Sequence, residues 1–138
     1  PPDYSSAASD VYKRQDTKAA ISKIVEGKLS EGAISSAEDL ISRIGDYPSR
    51  ISVIHATLEA AGTEIPDWLV SAHRESCTHN LREDIPSHRR LSAHRWYWRG
   101  ILEPSNRISH WTEAISRFKA AECRNAANDL LAMLSKGI

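Results

Sequence analysis

Apolar residues recur every three or four positions along most of this chain, and this period predicts α-helices. No segment alternates between apolar and polar residues over the usual length of a strand. The links between the predicted helices are short, which favours antiparallel neighbours. We therefore predict an all-α fold, a single bundle or orthogonal array of five to six helices. These helices span residues 17–29, 35–44, 46–61, 66–83, 86–102 and 106–136.

Residues that start and stop helices support these limits. Ser35 and Glu38 form a capping-box pattern, in which each side chain can bond a free backbone N–H of the first turn. Pro48 and Pro86 suit the first turns of the third and fifth predicted helices, because proline has no N–H to leave unsatisfied there. Gly62 suits the end of the third helix.

Residues 5–15 differ in character from the rest of the chain. Their sequence, SSAASDVYKRQ, resembles a translation of the adapter that is ligated to DNA for shotgun sequencing. We therefore expect residues 1–15 to be non-native and disordered, and we expect a metagenomic or draft-genome source. Natural sequence then starts near Asp16, and residues 16–138 form a single helical domain that is truncated at its N-terminus.

The composition is that of a globular protein, with 41% hydrophobic residues, 26% charged residues and a formal net charge of zero. No apolar run is long enough to span a membrane, so we expect no membrane partner. The two cysteines, Cys77 and Cys123, lie far apart and are expected to be reduced in a cytoplasmic protein. Phosphate-binding loops, dinucleotide fingerprints and hydrolase motifs are missing from the sequence, and we expect no cofactor and no enzyme activity.

One stretch, residues 73–99, departs from this even composition. It holds four of the six histidines and six arginines, while no lysine occurs between Lys28 and Lys119. Its positive charge is therefore carried by guanidinium groups, which fork onto phosphate or carboxylate oxygens and stack on aromatic rings. These residues are His73, Arg74, His79, Arg82, His88, Arg89, Arg90, His94, Arg95 and Arg99.

Helical spacing arranges part of this stretch into a row. His88, Ser92, Arg95 and Arg99 fall on one side of the fifth predicted helix, and Trp96 lies on its flank. A row of arginines beside an aromatic ring suits a phosphate backbone with a stacked base. The apolar stripe of the same helix, which should face the core, is Leu91, His94, Trp98 and Ile101.

We therefore predict a helical binding or interaction module that binds RNA, DNA or another polyanion through the fourth and fifth predicted helices. The prediction requires that the guanidinium groups stand free in water. In the alternative interpretation the arginines pair with acids, and the chain is a non-catalytic structural or protein-interaction domain. Its partner would be another protein or a second copy. The candidate nucleic-acid-binding residues are His88, Arg89, Arg95, Trp96, Arg99 and Arg82.

A third interpretation uses the segment Arg89-Arg90-Leu91-Ser92-Ala93-His94, in which four residues separate an arginine from a histidine. In an all-helical domain of this size, the motif resembles the HEPN ribonuclease family. In that family the arginine and histidine of two protomers meet across a dimer and cleave RNA without a metal. The resemblance implies that Arg89 and His94 are the catalytic pair.

Two further patterns in the chain are weaker. His73 and Cys77 are four residues apart and could present two metal ligands on one face of a helix, but no second ligand pair with zinc-site spacing accompanies them. We expect no metal site. Residues 51–74 could form a helix-turn-helix, but Asp67, Trp68 and Leu69 at the start of the second helix are acidic or apolar. An αα-hairpin is the better prediction.

Overall fold

The computed structural model of the protein describes residues 31–137, with the side chains of residues 37–137. Within these residues the chain is helical and contains no strand, which confirms the predicted all-α fold. The predicted helix at 17–29 and the adapter-like segment 1–15 lie outside the described residues. The described helices are α1 (Glu31–Ser42), α2 (Tyr47–Ala61), α3 (Asp67–Ser76), α4 (Pro86–Leu102), a 3-10 turn (Pro104–Asn106), α5 (Arg107–Ala120) and α6 (Arg124–Ser135).

The contacts divide the described residues into two compact units, 31–69 and 70–137, with the boundary inside α3. In the described part of the first unit, α1 packs against α2. The predicted start of α2 is confirmed, because the Asp46 carboxylate accepts a hydrogen bond from the Ser49 backbone N–H at 3.1 Å. The predicted stop is confirmed as well, since Gly62 follows the helix with φ +65°.

In the second unit α5 is the central helix and packs against both α4 and α6. Trp111 of α5 is fully buried, and its indole N–H donates to the Tyr97 carbonyl at 3.0 Å. Gly100 of α4 lies directly against the Trp111 ring, where no larger side chain would fit. The buried cluster of this unit consists of Ala93, Trp111, Ala114, Ile115, Phe118, Ala127 and Leu130.

Several predicted helix limits were wrong. The helix predicted from residue 35 already begins at Glu31, so the capping-box sequence lies inside α1. The helix predicted to run to residue 83 ends at Ser76, whose hydroxyl donates to the His73 carbonyl at 2.6 Å. The long helix predicted over 106–136 is broken between Ala120 and Arg124.

The single domain predicted over residues 16–138 stays a prediction, because its first part lies outside the described residues. Along residues 31–137, no helix is both long enough and apolar enough to cross a membrane.

Candidate functional site

Arg95, at the centre of the predicted arginine row, is engaged by the backbone of its own chain. Its Nη1 donates to the carbonyls of Ser76 at 3.2 Å and His79 at 2.7 Å. These carbonyls belong to the last residue of α3 and to the turn after it, and the Ser76 carbonyl also accepts from the His79 N–H at 3.2 Å. Arg95 is half-buried, and this burial lowers its pKa. The expectation that this guanidinium stands free in water was therefore wrong.

Trp96 lies between two guanidinium groups. The Arg99 guanidinium carbon lies 4.3 Å from the centre of the Trp96 ring, and that of Arg117 lies 5.9 Å from it. The His110 ring is close as well, at 5.6 Å between ring centres. Trp96 is half-buried and packs against the buried cluster. A base could therefore stack on this ring only after a side chain of the protein itself had moved away.

Arg99 and Arg117, the neighbours of Trp96, both have carboxylate partners. Arg99 Nε lies 3.8 Å from an oxygen of Glu103, and the same oxygen lies 2.7 Å from His110 Nε2. Arg117 Nε lies 3.0 Å from Glu113, and its Nη1 pairs with Glu83. Ion pairs between these exposed or half-exposed groups contribute about 0–1 kcal/mol each.

Ser92 was predicted on the exposed row, and the structure places it in the interior instead. It is fully buried, and its hydroxyl donates to Glu83 at 3.0 Å. Arg117 Nη1 also donates to this hydroxyl, at 3.2 Å. The side of α4 that carries Ser92 and Arg95 is therefore covered by the segment between α3 and α4 and by α5. The sequence pattern was misleading because the Ser92 hydroxyl and the Arg117 guanidinium form a hydrogen bond inside this packing.

The remaining candidates lie near the start of α4 and have different environments. Arg82 is exposed and pairs with Asp84 at 2.8 Å, while its backbone N–H donates to His88 Nδ1 at 3.0 Å. Arg89 is half-buried, and its Nε has no hydrogen-bond partner among the described residues. The structure therefore does not bring the six sequence-predicted residues together on one open surface.

His94 was predicted to belong to the core, and this was wrong. It is exposed, and its ring meets the edge of the Phe118 ring at 5.0 Å between centres. Arg89 and His94 are five positions apart, which places them about 140° apart around the helix. The two side chains therefore leave α4 on different sides. Because the HEPN resemblance joins them only across a dimer, their catalytic role stays a prediction.

Five exposed cations within residues 37–137 have no carboxylate partner: Arg74, Arg90, Lys119, Arg124 and Lys136. Lys119 at the end of α5 and Arg124 at the start of α6 line one open concavity. Arg90 lies one turn before His94, and His94 contacts Phe118, the neighbour of Lys119. Arg90 is thus linked through His94 to the end of α5 that carries Lys119, and we call Arg90, Lys119 and Arg124 the basic end of the second unit.

Of the three basic-end residues only Arg90 belongs to the arginine-rich stretch 73–99, and none of the three is among the candidate residues that the sequence pattern indicates. Lys119 and Arg124 fell inside the helix predicted over 106–136. The helix break that places them together had no glycine or proline to indicate it.

His73 and Cys77 form the one close thiol–imidazole pair in the described structure, with 3.5 Å between Sγ and Nε2. Burial, followed by the charges of Arg99 and Arg95, lowers the pKa of His73 to about 4. Burial raises the pKa of the Cys77 thiol. Both groups are therefore neutral near pH 7, whereas a nucleophilic cysteine requires a thiolate. Across residues 37–137, no group of three or more side chains is arranged to bind a metal.

Compared with known proteins, the chain matches no family model, no curated sequence and no solved structure.

Proposed function

We propose that residues 70–138 form a helical module that binds a polyanion, with nucleic acid as the preferred ligand. The contacts would be made by the basic end, Arg90, Lys119 and Arg124. The observation that carries the proposal is that two exposed cations without acidic partners among the described residues, Lys119 and Arg124, line one concavity. Such groups can exchange their counterions for backbone phosphates, which is the main source of non-specific affinity.

The distribution of acids supports this choice of residues. Residues 70–138 contain eleven Lys and Arg but only seven Asp and Glu, a formal net charge of +4. Four of those acids are already bound to Arg82, Arg99 or Arg117. The remaining cations of the described part of this unit, which include the three basic-end residues, have no carboxylate partner there. Among the described residues of this unit, His94 is the one exposed aromatic ring beside the basic end, so we expect phosphate contacts to contribute more than base stacking.

The second candidate function is a protein-interaction or structural domain. It is favoured by the internal pairing of Arg99 and Arg117, which uses two guanidinium groups of the second unit for the unit's own packing. It differs from the first candidate in a measurable way. Binding to a protein partner does not require the steep salt dependence that phosphate contacts produce.

The proposal is tested by fluorescence anisotropy with a labelled twelve-nucleotide RNA, titrated at several salt concentrations. Three phosphate contacts predict a slope of about −2 for the logarithm of the association constant against the logarithm of salt. We expect Arg124→Ala to weaken binding about three-fold to ten-fold and to make this slope shallower.

Lys136→Ala is the matched control, because Lys136 lies just past the other end of α6, about 18 Å from Arg124 along the helix axis. It removes the same charge and should leave the affinity nearly unchanged. An affinity that does not change with salt concentration, or an equal loss of affinity in the two variants, would contradict the proposal.

A further inference from the structure

A concavity of about 350 Å³ opens at the junction of α5 and α6. It is lined by Lys119, Arg124, Ala127 and Asn128. Two of these residues are cations and a third carries a carboxamide, so the residues of the lining offer positive charge and N–H donors to an anion. Glu122 and Asp129 are close in sequence, but neither lines the concavity.

We propose that this concavity binds the terminal phosphate of a nucleic-acid strand, so that the protein prefers strands with a phosphorylated end. The inference rests on the proposed function and adds a preference within the same site. A terminal phosphomonoester carries a charge of about −1.5 to −2 at neutral pH, which matches the two cations of the lining. It also offers three strong acceptor oxygens to the lysine, arginine and asparagine donors.

An internal phosphodiester fits the lining less well. It carries one negative charge, and two of its oxygens are esterified to the chain on either side. A strand end can insert its phosphate into a concavity, whereas an internal phosphate must pass across the rim. The difference between the two ligands therefore lies in charge and in access.

The test compares three twelve-nucleotide RNAs of the same sequence, with a 5′-phosphate, with a 3′-phosphate and with hydroxyl groups at both ends. Each is titrated against the full chain at one salt concentration. We expect at least one phosphorylated strand to bind about three-fold to ten-fold more tightly than the hydroxyl-ended strand. Binding of the hydroxyl-ended strand reports on the proposed function, and the ratio of affinities reports on the concavity.

Asn128→Asp is the informative variant, because it replaces a donor of the lining by a carboxylate. We expect it to abolish the preference for phosphorylated ends. Asn125→Asp is the control, since this substitution adds the same charge on the same helix. Asn125 is exposed and does not line the concavity. It should retain the preference. Equal affinities for all three strands, or loss of the preference in both variants, would overturn the inference while leaving the proposed function standing.

Discussion

At the residue scale, arginine in this protein serves to complete the ends of helices. Arg50 Nε donates to the Ile44 carbonyl at 2.9 Å, just after α1, and Arg95 does the same after α3. Arg107 Nε donates to the Gly100 carbonyl at 2.9 Å, in the last turn of α4. Helices end with unpaired carbonyls, and the guanidinium fork can bond them at little cost in rotamer freedom. Part of the arginine enrichment is therefore structural.

Gly100 gives the sharpest prediction at a single residue. A Cβ at this position would overlap the Trp111 ring, and the indole hydrogen bond to Tyr97 would be lost with it. We expect Gly100→Ala to lower the free energy of unfolding by about 2–4 kcal/mol, from overpacking and from an unsatisfied buried N–H. Urea denaturation followed by Trp fluorescence measures the change.

Gly45→Ala is the control for that experiment. No atom lies within 4 Å of the Cβ that alanine would add at Gly45, so the free energy of unfolding should change by less than about 0.5 kcal/mol. If both alanine variants are equally stable, then the close approach of α4 and Trp111 does not describe the folded protein.

The buried imidazole of His73 predicts a dependence of stability on pH. Burial, followed by the charges of Arg99 and Arg95, lowers its pKa from 6.5 to about 4 in the folded protein, and the charge of Glu103 acts in the opposite direction. Between these two values the unfolded chain binds a proton that the folded chain does not bind. Acid therefore favours unfolding, and about 3 kcal/mol of stability should be lost as the pH falls from 6.5 to about 4.

The contribution of His73 is isolated by comparing His73→Gln with the same change at the exposed His94. Urea denaturation of each variant is repeated at several pH values between 4 and 7. The first substitution should flatten the loss of stability, because glutamine does not titrate, and the second should leave the profile close to that of the wild type. A profile that His73→Gln leaves unchanged would show that other groups cause the acid sensitivity.

At the element scale, the break between α5 and α6 is a helix end without glycine. Glu122 adopts φ +62°, the Cys123 N–H donates to the Phe118 carbonyl at 2.8 Å, and the Glu122 N–H donates to Lys119 at 3.0 Å. These are the two hydrogen bonds of a Schellman motif. Phe118 is buried and Cys123 packs against the same cluster, which supplies the apolar contact that accompanies this motif.

This motif predicts that Glu122→Gly stabilises the protein. A side chain in the left-handed conformation costs about 1–2 kcal/mol, and glycine removes that cost while it increases the entropy of the unfolded chain. We expect a net gain of about 0.5–1 kcal/mol, measured as a higher urea midpoint. Glu122→Ala keeps a Cβ at the same φ and should show no such gain. Loss of stability in the glycine variant would contradict the assignment of this turn.

The same elements show how far the sequence could predict the structure. The limits of α2 and α4 followed from Asp46, Pro86 and their neighbours, because capping and proline act locally. The α5–α6 break did not, since the preference of Glu122 for a regular helix was overridden by the contact of Phe118 with Cys123. The outward face of α4 was misassigned because the partners of Ser92 and Arg95 come from distant segments. Consequently the fold class was predictable, and the placement of the candidate site was not.

At the scale of the whole molecule, a net charge of zero conceals opposite charges in two parts of the chain. Residues 31–69 contain seven Asp and Glu against two Arg, a net charge of −5, whereas residues 70–138 have a net charge of +4. Electrostatic potentials of several kT near a protein surface arise from such local charge and not from the total net charge. Binding to a polyanion should therefore depend on where a charge is removed.

Retention on a heparin column at pH 7.5 tests this dependence. We expect the protein to be retained at low salt despite its net charge of zero, and we expect Arg90→Ala to elute at a lower salt concentration than the wild type. Arg43→Ala changes the net charge equally but lies in the acidic part of the chain, where Arg43 pairs with Asp39 at 2.6 Å. It should elute with the wild type, because the basic end is unaltered. Equal shifts in both variants would mean that the total charge governs retention and that the basic end has no special role.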